Sequence, residues 1–214
     1  YRFIPDTPTH NSKVISDRSM LVNVLNQTRS YLVTALIAGA LLNGALLYVP
    51  SYIAHILPLN QASLTAIVFP LSGLLGTVWL GAMVLQRTGG SELRSLLILL
   101  SLAAGARAIA LILTDSTLSA VIVVVSFGIT AYALTNMLLT AVPLLYAHLG
   151  TSLVAGLMDA VHSVGGAIGS ILVGILLGYG GWMLVFSMWF LLPVLAIAMV
   201  VMSKNSANKT TAQT

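Results

Sequence analysis

A long stretch without charge limits what this chain can fold into. No Asp, Glu, Lys or Arg occurs between Arg29 and Arg87. A membrane-crossing helix needs roughly 20 apolar residues, so this stretch is long enough for two crossings. Of the 214 residues, 58% are hydrophobic and only 7% are charged, whereas soluble domains are about a quarter charged. The sequence therefore predicts an all-α integral membrane protein.

Proline, glycine and polar clusters divide the apolar sequence into six segments, each near the length of a membrane span. The predicted spans are residues 31–54, 62–85, 95–113, 118–146, 153–177 and 182–202. This pattern predicts three regions: a cytoplasmic linker with an interfacial amphipathic segment, a six-helix bundle, and a polar cytoplasmic tail. Their predicted bounds are residues 1–30, 31–202 and 203–214.

The basic residues predict the orientation of the bundle. Eight of the nine Lys and Arg precede the first span, lie between the second and third, or follow the sixth. With six spans these positions share one side of the membrane, and an excess of Lys and Arg marks the cytoplasmic side. We therefore expect a multi-pass protein of the plasma membrane with both termini in the cytoplasm. The ninth, Arg107, lies within the third span, where we expect its side chain to snorkel to the outer interface near Asp115.

The sequence lacks the residues that several kinds of catalysis and binding require. There is no cysteine, which excludes disulfides and thiolate catalysis. The Lys and Arg form no basic stripe among aromatic residues, so no nucleic-acid partner is predicted. Neither G-x-S-x-G nor H-E-x-x-H occurs. We predict that the chain is not an enzyme and has no catalytic residue, metal site or cofactor.

Six spans in two sets of three, with both ends inside, resemble one half of a major facilitator superfamily transporter. The sequence GAMVLQRTGGSELR, which follows the second span, resembles the cytoplasmic loop signature of that superfamily through Gly81, Arg87 and Gly89. The resemblance implies a 3+3 repeat of transmembrane helices. It also implies that this chain is the carboxy-terminal half of the transporter, helices seven to twelve. Its expected partner is the missing amino-terminal six-helix half.

Within the superfamily, the chain is most similar to the organophosphate and inorganic phosphate antiporters. The sequence LLYVPSYIAHILPLNQAS resembles the exit from their seventh helix through Tyr48, Pro50 and Tyr52. GITAYAL, which contains Tyr132, and the Gly-rich VAGLMDAVHSVGG resemble later parts of the same proteins. Those antiporters bind phosphate with an Arg two turns before the matching Pro. Here Asn43 and its neighbours occupy that region.

The resemblance implies a secondary active transporter, an antiporter in those relatives, that moves a small polar or anionic solute by alternating access. The first and fourth spans line the central cavity in the superfamily, which makes Asn43 and Asn136 candidates for contact with the solute. Tyr48 and Tyr132 are candidates from the matched motifs. The alternative is a truncated or orphan membrane half without transport activity of its own.

Asp159 and His162 are ionisable residues inside the predicted fifth span, where a charged side chain is unusual. They are three residues apart and share one side of a helix. They could belong to a proton or solute path, since His titrates near physiological pH. Alternatively, Asp159 reaches interfacial water or caps backbone while His162 makes an interhelical hydrogen bond. The small residues that follow predict close helix packing; they are Gly165, Gly166, Gly169, Ser170 and Gly174.

Overall fold

The computed structural model describes the backbone of residues 17–57, 59–89, 92–112 and 117–211. Side chains are described for residues 21–57, 67–89, 94–110, 118 and 120–202. This part of the chain is helical almost throughout, which confirms the all-α prediction. The first 16 residues of the predicted linker, Asp115 and the last three residues of the predicted tail lie outside the described residues.

Seven α-helices follow one another in the described residues. They are α1 (Asp17–Ile56), α2 (Leu59–Leu75), α3 (Gly81–Arg87), α4 (Glu92–Ile112), α5 (Thr117–Asn136), α6 (Val142–Leu145) and α7 (Thr151–Thr211). π-helical turns join α2 to α3 (Gly76–Leu80) and α5 to α6 (Met137–Ala141), so that each of these pairs is one continuous rod. A 3₁₀ turn (Ala147–Leu149) precedes α7.

Helix α1 joins the predicted interfacial segment to the first predicted span. It has 40 residues, and at 1.5 Å per residue it is about 60 Å long. Its first turns pack on the bundle through Val24 and Thr28, which are buried, while Leu21 and Val22 are exposed. A hydrocarbon core is about 30 Å thick. A membrane-crossing α1 therefore extends beyond the lipid, and the amphipathic segment is continuous with the span.

Helix α7 is a hairpin of two helices. Its backbone leaves helical geometry at Gly180 (φ −151°) and Gly181 (φ 66°). Residues before and after this break meet the same point of α1: a Cβ added to Gly44 would lie 3.4 Å from both Val173 and Trp189. The chain therefore reverses direction at the GYGG sequence, which the sequence predicts as the end of the fifth span.

Four helical segments of the described chain are long and apolar enough to cross a membrane. They are Leu21–Ile56, Ile67–Arg87, Ala120–Leu145 and Thr151–Met202. The last includes both arms of the α7 hairpin. These segments are compatible with a multi-pass membrane protein. Six crossings in a 3+3 arrangement stay a prediction, as do the particular membrane and the side on which the termini lie.

The core of the bundle is rich in aromatic rings. Phe127 of α5 makes edge-on contacts with Phe186 and Trp189 of α7, with ring centroids 6.1 and 5.3 Å apart. Tyr52 of α1 contacts Phe186 and Trp182 at 5.0 and 5.1 Å. Edge-on geometry brings the positive ring edge to the negative ring face and favours such pairs. These rings hold the second arm of α7 against α1 and α5.

Candidate solute-binding groove

A groove lies between α1 and the first arm of α7. It encloses a cavity of about 500 Å³ that is open on one side. A volume of this size is sufficient for a small molecule. The groove is lined by Asn43, Leu46, Leu47, Ser163, Gly166, Ala167 and Ser170. It therefore contains one amide and two hydroxyl groups between two apolar helices.

Asn43 is the polar side chain that α1 contributes to the groove. It is half-buried, and its Nδ2 donates a hydrogen bond to the Gly39 carbonyl at 3.3 Å. Its amide lies directly against Gly166, where an added Cβ would overlap it. On the opposite wall, the Ser170 hydroxyl donates to the Gly166 carbonyl at 2.8 Å. The lack of a side chain at Gly166 is thus what admits Asn43 to the groove.

Asp159 shares a face of α7 with residues that line the groove, although it is not a lining residue itself. Residues 159, 163, 166 and 170 are spaced by four, three and four residues, so they lie on one face of the helix. Asp159 and Ser163 are both exposed. Asp159 makes no ion pair within the described part of the chain. The face consists of a carboxylate at one end and two hydroxyl groups beyond it.

His162 is directed away from that face. It is 7% exposed, and its Nε2 lies 3.4 Å from the Thr135 hydroxyl of α5. Asp159 and His162 are therefore neighbours in sequence, but one is exposed and the other packs between helices. The contact of His162 is interhelical. This is the geometry expected if His162 makes a hydrogen bond between helices and does not belong to a proton or solute path.

Glycines allow α1 and α7 to approach until their backbones touch. An added Cβ at Gly165 would overlap the Leu36 carbonyl oxygen, and one at Gly39 would overlap the His162 carbonyl oxygen. Such close approach increases van der Waals contact between helices in lipid. The two predicted packing residues at 165 and 166 thus have different neighbours: the first meets backbone and the second meets Asn43.

The other predicted packing glycines lie on the same interface. Gly169 lies against the backbone of Ala40, where an added Cβ would be 2.5 Å from its Cα. Further along, a Cβ on Gly174 would be 2.8 Å from the hydroxyl oxygen of Tyr48. Tyr48 is half-buried at this position. It lies beyond the residues that line the groove.

Tyr132 and Asn136 lie at a different interface, between α5 and the α2–α3 rod. The Tyr132 ring covers Gly73 and lies 6.0 Å from the Phe69 ring. Asn136 Nδ2 donates to the Thr77 carbonyl at 3.3 Å. A second cavity of about 210 Å³ lies beside Asn136. The structure thus divides the predicted solute-contacting residues between two interfaces.

The predicted loop signature lies at the end of α3. Arg87 is exposed in the last turn of this helix. Gly89 follows with φ 63°, a conformation that favours glycine. The Thr88 and Ser95 hydroxyl groups are hydrogen-bonded at 2.6 Å and so join α3 to α4. Gly81 lies within the rod, with the nearest atom to an added Cβ 3.7 Å away.

Arg107 does not snorkel, and the prediction of an outward-reaching side chain is wrong. It is 1% exposed. Its Nη1 donates to the Ala103 carbonyl at 2.8 Å and to the Thr130 hydroxyl at 3.1 Å. The guanidinium carbon lies 4.6 Å from the centre of the Phe127 ring. Helix α4 is rotated so that Arg107 faces α5, and hydrogen bonds with a cation–π contact replace water at the charged group.

Three features of the site have only weak signals in the sequence. Gly39 follows Ala35 by four residues, a small-residue spacing that could have indicated the close approach of α1. Thr135, the partner of His162, has no local signal because the two residues are 27 positions apart. The two π-helical turns, Gly76–Leu80 and Met137–Ala141, likewise have no distinctive local sequence.

The fold and the groove define a class: an all-helical protein, compatible with a multi-pass membrane protein, that has a polar cavity between two closely packed helices. No group of three His, Asp or Glu residues within the described residues could hold a metal ion. No protein-family model matches the chain. No curated protein matches it.

Proposed function

We propose that this chain is the carboxy-terminal half of a secondary transporter of the major facilitator superfamily. It moves a small polar solute across the plasma membrane by alternating access. The observation that carries this proposal is the groove beside Asn43, where amide and hydroxyl groups lie among apolar helices. Polar and charged groups at membrane depth are costly toward lipid, and they commonly mark solute or ion paths.

The packing of the helical rods supports a 3+3 repeat. Rod one (α1) meets rod five, the first arm of α7, backbone to backbone at Gly165 and Leu36. Rod two (α2–α3) meets rod four (α5–α6) in the same way, where an added Cβ at Gly76 would overlap the Ile129 carbonyl. If rods one, two and three are exchanged with rods four, five and six in order, the contact between rods one and five becomes the contact between rods four and two. Nested three-helix repeats of this kind occur in the superfamily.

The exposed polar face of α7 supports the expectation of a partner. Asp159 lies eight residues after the start of α7, about 12 Å along the helix, and it is exposed in this chain alone. A carboxylate at this depth is expensive if it faces hydrocarbon. We therefore assign the other wall of the groove to the amino-terminal six-helix half, with both termini in the cytoplasm and the solute between the two halves.

Uptake into proteoliposomes tests the proposal. The chain is reconstituted with and without an amino-terminal six-helix half, and accumulation of a panel of labelled solutes is measured. We expect uptake only when both halves are present, and we expect Asn43→Leu to reduce it at least tenfold. Ser101→Ala is the matched control, because Ser101 is exposed on α4 and its hydroxyl bonds to the carbonyl of its own helix. Absence of uptake by both halves together would favour the orphan half.

The proton path is tested with the same vesicles. If Asp159 and His162 carry protons, Asp159→Asn and His162→Ala should each change the pH dependence of uptake. If His162 only joins α7 to α5 through Thr135, His162→Ala should lower thermal stability and leave the pH profile unchanged. An unchanged pH profile in both variants would contradict the proton path.

A further inference from the structure

The groove between α1 and α7 is uncharged along its described lining. Its polar side chains are Asn43, Ser163 and Ser170, and no Asp, Glu, Lys, Arg or His is among the described residues that line it. Asp159 lies outside the lining, and its electrostatic neighbour is His162, which is buried between helices. A solute with a full charge would therefore meet no opposite charge on this wall. A charge without a partner is costly in apolar surroundings.

The polar groups of the groove offer both hydrogen-bond donors and acceptors. Asn43 uses one N–H for the Gly39 carbonyl, and its amide has a second N–H that can donate and an Oδ1 that can accept. The exposed Ser163 hydroxyl can do either. Ser170 donates its proton to the Gly166 carbonyl, so its oxygen can accept. This combination matches hydroxyl groups on a solute, because each hydroxyl is both a donor and an acceptor.

These polar groups are spread along the groove. Ser163 and Ser170 are seven residues apart on one face of α7, which is about 10 Å along the helix axis. The Asn43 amide lies between them, against Gly166. Apolar side chains complete the lining; they are Leu46, Leu47 and Ala167. A solute that contacts all three polar side chains therefore needs several hydroxyl groups along its length, with C–H groups between them.

We propose that the groove binds an uncharged polyhydroxyl solute, either a monosaccharide or a sugar alcohol. Asn43 donates to one solute hydroxyl and accepts from another, while Ser163 and Ser170 contact hydroxyl groups on either side. The C–H groups of the solute lie on Leu46 and Leu47. This inference rests on the proposed transport function and narrows it, because a phosphate ester or an ammonium compound would bring a charge that this lining does not balance.

Compounds of similar size and different charge test this inference. The purified two-half protein in detergent is heated with glucose, sorbitol, gluconate or glucosamine at low millimolar concentration, and the midpoint of unfolding is measured. A compound that binds the folded state raises this midpoint. We expect glucose or sorbitol to raise it. Apparent binding of the gluconate anion and of the glucosamine cation should be about tenfold weaker or more.

Substitutions at Asn43 separate recognition of the solute from general stabilisation by sugars. Asn43→Leu should abolish the rise with glucose, whereas exclusion of sugars from the protein surface would act on the variant and the wild type alike. Asn43→Asp places a carboxylate in the groove and should reverse the order, so that glucosamine binds more tightly than glucose. Ser101→Ala, on the exposed side of α4, is the control and should bind glucose as the wild type does.

A substitution at Ser163 separates binding from folding. Ser163 is exposed, so Ser163→Ala should weaken glucose binding without lowering the midpoint of the protein alone. The inference would be overturned if gluconate or glucosamine raised the wild-type midpoint more than glucose and sorbitol do. It would also be overturned if Asn43→Leu bound glucose normally, or if no compound had an effect.

Uptake distinguishes failure of this inference from failure of the proposed function. Proteoliposomes that accumulate gluconate or glucosamine in preference to glucose and sorbitol would contradict a groove for uncharged solutes, while transport itself would stand. Binding of glucose or sorbitol that depends on Asn43, without accumulation of either, would support the groove and contradict the transporter. Accumulation of glucose or sorbitol that Asn43→Leu abolishes supports both.

Discussion

Arg107 places a charged group inside an apolar bundle without an acidic partner in the described chain; its Nη1 is hydrogen-bonded, while its Nε is buried without a hydrogen-bond partner there. Its contacts are the Ala103 carbonyl, the Thr130 hydroxyl and the Phe127 ring. The Thr130 and Phe127 contacts are available only because α4 and α5 lie side by side, whereas the Ala103 carbonyl belongs to α4 itself. The guanidinium therefore depends on this interface and also stabilises it. If the side chain faced lipid, it would lose Thr130 and Phe127 and keep only the Ala103 carbonyl of its own helix.

We predict that Arg107→Ala lowers the free energy of unfolding by about 2–4 kcal/mol, because it leaves a cavity in a packed interface. Arg107→Met fills most of that volume without a charge and should cost much less. The measurement is thermal unfolding in detergent micelles, with Arg87→Met as the control at an exposed position. If the Arg107 side chain snorkelled instead, the Ala and Met variants would both unfold with nearly the same free energy as the wild type.

The helix that carries a polar residue could be predicted from the sequence, but the direction of its side chain could not. The sequence correctly indicates that Arg107 lies within a helix, α4. Its direction depends on the rotation of α4 about its own axis, which packing against α5 determines. The same holds for His162, whose partner Thr135 comes from another helix. Hydropathy gives no information about either rotation.

At the scale of the elements, the small residues of α1 and α7 are matched to one another. Gly39 and Gly165 each accept the backbone of the opposite helix. The interhelical distance is therefore fixed by backbone contact at Leu36 and Gly39, both of which precede Asn43 in α1. The width of the groove follows from this contact.

We predict opposite effects for two alanine substitutions in α7. Gly165→Ala forces a methyl group into the Leu36 carbonyl and should destabilise the chain by about 1–3 kcal/mol. Gly156→Ala meets nothing within 4 Å and should stabilise it by up to about 1 kcal/mol, because alanine favours the helix. Thermal unfolding of both variants gives the signs. Equal effects in both would show that α1 and α7 are not in backbone contact.

Apolar periodicity and turn residues predicted most of the helical elements. The predicted second span, residues 62–85, lies within the α2–α3 rod, and the GYGG break coincides with the reversal of α7. The continuous start of α1 was harder to predict, because the amphipathic segment has no Gly or Pro that would separate it from the span. The π-helical turns were not predicted, since they have no distinctive local sequence.

At the scale of the whole molecule, two contacts between rods are alike. Rods one and five, and rods two and four, each meet where a glycine lies against a backbone carbonyl of the other rod. These contacts support the proposed 3+3 repeat, which also requires six membrane crossings.

Cysteine labelling measures the number of crossings, and the natural chain has no cysteine to interfere. We predict that an impermeant maleimide labels Arg87→Cys and Lys204→Cys from the cytoplasmic side. Tyr179→Cys, at a position 86% exposed beside the α7 break, should be labelled from the opposite side. Wild-type protein, which has no thiol, is the control. Labelling of all three from one side would contradict six crossings.

The glycine reversal in α7 also bears on how the chain enters a membrane. The turn residues Gly180 and Gly181 separate two apolar arms and have no ionisable side chain. If both arms cross a membrane, insertion as a pair would carry across the hydrocarbon only a short turn without Asp, Glu, Lys or Arg. We then expect the two arms to insert together during synthesis.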